Sequence, residues 1–111
     1  MHDKSETDRI VIVASGFGLW LDGRHVASAR WGDVSRVHAR RAAESEGIVV
    51  RVSLADGRDV ALGEHVSGWL AFLHAASVQL PGMPPVERWR PALADADEAL
   101  LYDRSARRRR P

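Results

Sequence analysis

One stretch organises the fold of this chain: Ala29-Arg30-Trp31-Gly32-Asp33-Val34-Ser35-Arg36-Val37. We interpret it as a strand that ends on an indole, a Gly-Asp corner, and a second strand that begins after the corner. Val34 and Val37 are predicted to point inward from the second strand, and Trp31 is large enough to cover the core that they enter. The stretch therefore predicts a folding feature, and it contains no catalytic motif.

The segments before the corner are predicted to form three short strands. Ile10–Val13 is a β-branched run, and Phe17–Leu21 alternates so that Trp20 lies on the face opposite its apolar neighbours. Asp22-Gly23 is typical of a two-residue hairpin turn, because both positions tolerate a positive φ. Arg24–Arg30 is therefore predicted as the third strand, which leads into the corner.

The segments after the corner continue the same pattern. Val34–Arg41 is predicted as a strand, and Ile48–Leu54 places four apolar residues on one face. Asp56-Gly57 is typical of a second hairpin turn, and Arg58–Leu62 is predicted as the strand that follows it, with Val60 and Leu62 pointing inward. Six strands joined mainly by tight turns favour an antiparallel meander, since parallel pairing would require helical crossovers.

The apolar period changes from strand to helix only after these strands. The spacing predicts one amphipathic helix over about residues 64–79, ended by Leu80-Pro81. Its buried stripe is predicted to contain Val66, Trp69, Leu70, Leu73 and Ser77/Leu80.

Residues 81–93 contain four prolines, so we expect extended structure on the surface there. Residues 94–103 are compatible with either a helical turn or a strand.

Length and composition fit one water-soluble domain. The chain has 111 residues, of which 45% are hydrophobic and 28% charged, and it has no apolar run of membrane-spanning length. The polar N-terminus lacks the features of a secretory signal, so a cytoplasmic location is expected. The absence of cysteine excludes disulfides, thiolate zinc sites and cysteine nucleophiles. No cofactor is predicted.

The same alternation of short strands and one late helix resembles the pleckstrin-homology-like architecture. More narrowly, the chain resembles small uncharacterised bacterial proteins with this fold in the following motifs between Gly18 and Gly82: Gly-Leu-Trp-Leu-Asp-Gly, Arg-Trp-Gly-Asp-Val-Ser-Arg-Val, Leu-Ala-Asp-Gly-Arg, His-Val-Ser-Gly-Trp-Leu and Leu-Pro-Gly. Trp89, Pro91-Ala92-Leu93 and Leu101-Tyr102 are similar to the C-terminal extension of that group. These signatures are structural, so the resemblance implies a fold more than a function.

The fold implied is α+β, an antiparallel sheet or partial barrel of about six to seven short strands plugged by one C-terminal amphipathic helix. The expected organisation is a mobile N-terminus at 1–8, the pleckstrin-homology-like domain at 9–82, a Pro-rich extension at 83–103 and an arginine-rich tail at 104–111. Phosphoinositide-binding members of this architecture use a basic cluster between the first two strands. Here that loop is Ser15-Gly16, without a basic residue, so headgroup recognition is not predicted.

Candidate chemistry is weak. Asp33, Ser35 and His38 suggest a hydrolytic triad, but strand alternation predicts that Ser35 and His38 lie on opposite faces. His65 and His74 are nine positions apart on the predicted helix, which separates them too far to share a metal. We therefore predict a protein that is not an enzyme, with no catalytic, cofactor-binding or metal-binding residues.

Arginines on the predicted solvent face of the sheet form a possible basic patch, namely Arg36, Arg40, Arg41 and Arg51. Acidic residues close to them in the chain are expected to neutralise this patch: Glu44, Glu46, Asp56 and Asp59. A solvated surface of mixed charge is therefore favoured.

The interaction residues predicted are two indoles and four tail arginines: Trp20, Trp89, Arg107, Arg108, Arg109 and Arg110. Indoles are enriched at binding hot spots, although packing of Trp89 on its own domain fits the sequence equally well. Without the four tail arginines, 12 basic residues face 15 acidic ones, so the body of the chain is mildly acidic.

Three functions follow, in order of preference. The first is a non-enzymatic module that binds an unknown protein or itself, through a strand edge or the Pro-rich extension. The second is weak contact of the arginine tail with nucleic acid or an anionic membrane, with no transmembrane span. The third is an enzyme.

Overall fold

The computed structural model describes residues 8–42, 47–94 and 96–105. The predicted mobile N-terminus, apart from Asp8, and tail residues Arg107–Arg110 lie outside these ranges. The described elements, in chain order, are β1 (Arg9–Val13), β2 (Gly16–Leu21), β3 (Arg24–Arg30), β4 (Val34–Arg41), β5 (Ile48–Leu54), β6 (Asp59–Gly63), α1 (Trp69–Gln79), α2 (Val86–Trp89) and β7 (Glu98–Asp103). Single 3₁₀ turns lie at Trp31–Asp33 and Pro91–Ala94.

The strands form two antiparallel sheets. One has three strands in the order β1-β2-β3, and the other has four in the order β6-β5-β4-β7. The α+β class and the antiparallel pairing predicted from sequence are confirmed. The turn between β2 and β3 has φ values of 53° at Asp22 and 74° at Gly23, which a two-residue primed turn requires.

The predicted corner is the 3₁₀ turn that connects the two sheets. The N–H of Trp31 donates to the carbonyl of Ser15 over 3.1 Å, and the carbonyl of Asp33 accepts from the N–H of Ala55 over 2.8 Å. Trp31 is buried, with its ring 5.3 Å from that of Phe17 and 5.7 Å from that of Phe72. The corner thus connects the three-stranded sheet, the four-stranded sheet and α1.

Val34 and Val37 are both buried, as the sequence predicts. Residues three apart in a regular strand point to opposite faces, so a strict alternation would expose one of them. The pairing of β4 with β5 shifts register between Val34 and Arg36, which is the irregularity needed to turn both valines inward.

The next two strands follow their predicted faces. All four apolar residues of the β5 stripe are buried, as are the two inward residues of β6: Ile48, Val50, Val52, Leu54, Val60 and Leu62. The Asp56-Gly57 turn is held by the N–H of Arg58, which donates to Asp56 Oδ1 over 3.0 Å. This hydrogen bond lowers the pKa of the Asp56 carboxyl.

Helix α1 begins five residues later than predicted. Gly68, just before it, has a φ of 89°, a left-handed value that favours glycine and interrupts helical geometry. Ser67 instead forms a parallel bridge to Arg9, and its carbonyl accepts from the N–H of Ile10 over 2.8 Å. A Cβ on Gly68 would lie 2.6 Å from the Ile10 carbonyl oxygen. The close approach of β1 is therefore a second reason why position 68 requires glycine.

The predicted buried stripe of the helix was partly wrong. The buried residues are Trp69, Phe72, Leu73 and Ala76, followed by Leu80, whereas Leu70 is 54% exposed. The polar residues of the helix, His74, Ser77 and Gln79, lie only in its second half, so the sequence around Leu70 does not distinguish the buried face from the exposed one. Trp69 is positioned further by its Nε1, which donates to the carbonyl of Leu62 over 3.0 Å.

The prediction of extended surface structure over residues 81–93 was wrong. Val86–Trp89 is a helical turn, and Val86, Trp89 and Leu93 belong to the same buried core as the two sheets. The prolines permit this because Pro85 and Pro91 precede or begin helical turns, where a missing N–H costs no hydrogen bond. The chain then returns as β7 (Glu98–Asp103), which pairs with β4. Of the helical turn and the strand that the sequence left open for residues 94–103, the structure therefore shows the strand.

Two substitutions one half-turn apart on α1 test which face is buried. Phe72→Ala is expected to lower the free energy of unfolding by about 3–5 kcal/mol, because the ring is fully buried between Phe17 and Trp31. Leu70→Ala is expected to change it by no more than about 0.5 kcal/mol. Urea denaturation followed by circular dichroism measures both. Equal losses for the two variants would contradict the packing described.

Candidate functional site

The outer face of the three-stranded sheet carries an ordered array of side chains. The registers of β1 with β2 and of β2 with β3 align the residues into three rows across the sheet. From one end to the other, the rows are Arg9-Trp20-His25, Val11-Gly18-Ser28 and Val13-Gly16-Arg30. The middle strand therefore contributes one indole and two glycines to this face.

A depression lined in part by the two glycines runs along this face, and we call it the glycine trough. Its main part has a volume of about 460 Å³ and is lined by Val11, Val13, Phe17, Gly18, Trp20, His25 and Ser28. A second part of about 340 Å³ shares Val13, Phe17 and Ser28 with the first and extends past Gly16 to Arg30 and Asp33. The trough is thus open, elongated and mainly apolar in its central part.

Trp20 forms one end of the trough and is partly exposed. Its indole lies against Gly18, since a Cβ on that glycine would lie 2.6 Å from Trp20 Cζ3. The Arg9 guanidinium carbon lies 5.5 Å from the indole centroid, and the centroid of the His25 ring lies 4.8 Å away. Contacts on three sides therefore fix the position of the indole, while part of its surface remains accessible.

The apolar character of this face is unusual. When one face of an antiparallel sheet packs on a core, the other is normally polar. Here Val11 is 39% exposed and Val13 54%, and both line the trough from β1. Contiguous exposed apolar surface of this kind is typical of binding sites.

The structure separates the residues that the sequence predicts for interaction. Trp20 lies in the glycine trough. Trp89 is only 4% exposed. The sequence fitted either a binding residue or a residue packed on its own domain, and the structure shows that Trp89 packs on its own domain. Its Nε1 is buried without a hydrogen-bond partner in the described part of the chain. Arg107, Arg108, Arg109 and Arg110 lie outside the described residues.

The outer face of the four-stranded sheet is polar and carries both signs of charge. An ion pair of 3.6 Å joins Arg36 to Asp103, and His38 Nε2 lies 3.5 Å from Glu98. These acidic partners come from β7 and not from the residues predicted. Of the predicted ones, Asp56 pairs with Arg58, whereas Glu44 and Glu46 lie outside the described ranges.

The structure corrects the argument about Ser35 and His38. Both line depressions on the outer side of the four-stranded sheet, and Arg36 is common to the two depressions. The irregularity in β4 defeats simple alternation, which had placed the two residues on opposite faces. The Ser35 hydroxyl donates to the carbonyl of Ser53 over 3.0 Å, and His38 pairs with Glu98, so the contacts of both are structural.

Within residues 8–42, 47–94 and 96–105, no cluster of three or more histidine and acidic side chains has the arrangement to hold a metal ion. Nor does any helix there combine the length and apolar character needed to cross a bilayer.

Comparison with known proteins adds no relative. No protein-family model matches the chain, and neither a curated protein nor a solved structure matches it. The glycine trough is therefore interpreted from its own geometry and chemistry.

Sequence reasoning identified Trp20 but missed the trough around it. Part of the signal was present, because Gly18 and Trp20 alternate on one face of the predicted strand Phe17–Leu21, whereas Gly16 was assigned to the loop before it. The walls could not be assigned, however, because Val11 and Val13 reach the same face only through the register of β1 with β2.

Gly18→Ala is expected to displace the Trp20 indole from the trough, because the new methyl group overlaps Cζ3. The free energy of unfolding should change by less than about 1 kcal/mol, since the indole can move into solvent. Acrylamide quenching of tryptophan fluorescence should rise, because Trp31, Trp69 and Trp89 are buried and Trp20 dominates the accessible signal. Gly32→Ala, which adds a methyl group in open space, is the control. Identical quenching in both variants would contradict the position of the indole.

Proposed function

We propose that this chain is a non-enzymatic interaction module that binds an extended segment of another protein in the glycine trough. The observation that carries the proposal is the exposed apolar trough itself, with a positioned and partly accessible tryptophan at its end. Such a surface offers little to a chemical reaction. It offers apolar contact area and one indole, the side-chain type most enriched at binding hot spots.

The dimensions of the trough suit one extended chain. The side chains that form its two walls belong to β1 and β3. Each of these strands lies about 4.8 Å from β2, so the two walls are about 10 Å apart. An extended segment of this width would place alternate side chains toward the sheet and toward solvent. Its apolar side chains would contact Val11, Val13 and Trp20, and thereby cover the valines that water now reaches.

The proposal includes the finer architecture predicted from the sequence, a pleckstrin-homology-like fold plugged by its helix. It is supported by the order of two antiparallel sheets followed by α1, whose residues Phe72 and Leu73 are fully buried in the common core. The bacterial origin and the cytoplasmic location also remain predictions. So does contact of Arg107–Arg110 with nucleic acid or an anionic membrane, because these residues lie outside the described ranges.

Selection of random seven-residue peptides on the immobilised full chain tests the function. Peptides enriched by the wild type are expected to bind Trp20→Ser at least about tenfold more weakly, because removing a hot-spot indole costs more than about 1.4 kcal/mol. Val13→Ser, in the trough wall, should weaken binding less. Fluorescence anisotropy with labelled peptides measures each affinity.

The matched control is Val78→Ser, which removes a highly exposed valine from α1, outside the trough. It should bind the selected peptides like the wild type. Circular dichroism establishes that each variant folds. If no peptide is enriched, or if enriched peptides bind Trp20→Ser with unchanged affinity, the trough is not a protein-binding site.

A further inference from the structure

We infer that the segment bound in the glycine trough carries a carboxylate, which pairs with Arg9 beside the apolar residue that contacts Trp20. The inference rests on the proposed function and specifies the chemistry of the partner. Its basis is an arginine held against an indole at the end of an apolar trough.

Arg9 is positioned for such a contact. Its guanidinium lies 5.5 Å from the centre of the Trp20 ring, which belongs to the same row of the sheet. An arginine stacked on an aromatic face keeps its N–H groups available at the edge of the guanidinium plane. That edge matches the two oxygens of a carboxylate, so one ligand group can accept two parallel hydrogen bonds.

The charges around the trough favour an acidic ligand at this end. Arg9 forms no ion pair with any acidic residue in the described part of the chain. Two acidic residues are near this end, Asp8 and Asp22, whose N–H donates to Asp8 Oδ1 over 2.9 Å, but neither of them lines the trough. The third member of the row, His25, adds no negative charge.

The opposite end of the trough differs. Arg30 lies there together with Asp33, and both line the second part of the depression. At that end an acidic residue lines the depression itself, whereas none of the described acidic residues lines the main part of the trough beside Trp20. The expected preference for acid therefore belongs to Arg9, and Arg30 provides a control on the same sheet.

Other occupants fit these charges less well. A second copy of this chain, docked with the same face, would bring Arg9 and Arg30 toward the arginines of its partner, and like charges oppose association. A nucleic acid would require a row of phosphate-binding donors, whereas the central trough is lined mainly by apolar side chains, with Ser28 and His25 as its polar ones. A protein segment with apolar residues and one carboxylate satisfies both the trough and Arg9.

Three sets of labelled hexapeptides test the inference against the full chain. Each has leucine at positions 3 and 5 and mixtures of serine, threonine and valine at positions 2, 4 and 6; position 1 is Glu, Gln or Lys. The glutamate set is expected to bind about threefold to tenfold more tightly than the glutamine set, with the lysine set weakest. The difference should shrink in 0.5 M salt, at which the Debye length is only about 4 Å.

The variants identify the residue responsible. Arg9→Gln is expected to remove the preference for glutamate over glutamine, whereas Arg30→Gln should retain it. Arg9→Lys should keep part of the preference, because it keeps the charge but loses the planar pair of donors. Retention of the full preference by Arg9→Gln would overturn the inference.

The outcomes separate this inference from the function on which it rests. If the glutamate and glutamine sets bind equally, but both are lost with Trp20→Ser, the trough binds apolar segments and only the acidic preference fails. If no set binds, the proposed function fails. Sedimentation equilibrium of the full chain tests the competing occupant, since a dimer abolished by Trp20→Ser would show that a second copy occupies the trough.

Discussion

The contact of three aromatic rings at the corner between the sheets is the interaction on which the rest of the structure depends. Trp31 from the 3₁₀ turn, Phe17 from β2 and Phe72 from α1 lie within 5.7 Å of one another, measured between ring centres. Each ring comes from a different part of the fold, so the contact joins both sheets to the helix. A tilted or edge-to-face arrangement of such rings adds to the free energy already gained from burial.

The inward and outward faces of β2 are consequences of this contact. Because Phe17 and Leu19 point into the core, alternation obliges Gly16, Gly18 and Trp20 to lie on the outer face. Gly16 is also required by packing, since a Cβ there would overlap the carbonyl oxygen of Ala29 on β3. Gly18 in turn leaves the space in which the indole of Trp20 lies. The trough therefore arises from the same residues that allow the three strands to approach closely.

Most strand boundaries could be predicted from the sequence because their signals are local. β3, β4 and β5 begin and end where predicted, since turn residues and β-branched residues mark those positions. The buried face of α1 could not, because the first half of the helix, Trp69–Leu73, contains only apolar residues and nothing in it marks the exposed side. The position of Trp89 could not either, because proline marks the start of a helical turn as readily as it marks extended chain. At the candidate site, the sequence identified Trp20 but not its walls, which depend on register.

The structure also limits where a partner can dock. The Pro-rich segment predicted as an interface is largely unavailable, because Val86, Trp89 and Leu93 lie in the core. The edges of the three-stranded sheet are similarly restricted. β1 is bridged by Ser67, and the pairing of β3 with β2 is irregular beside Trp20, a feature that bends an edge strand away from regular pairing. Part of each edge is thus occupied or irregular, whereas the exposed valines and indole of the outer face form an apolar surface that a partner could cover. Recognition by side chains in a trough, instead of by main-chain pairing at an edge, is the mode that this arrangement favours.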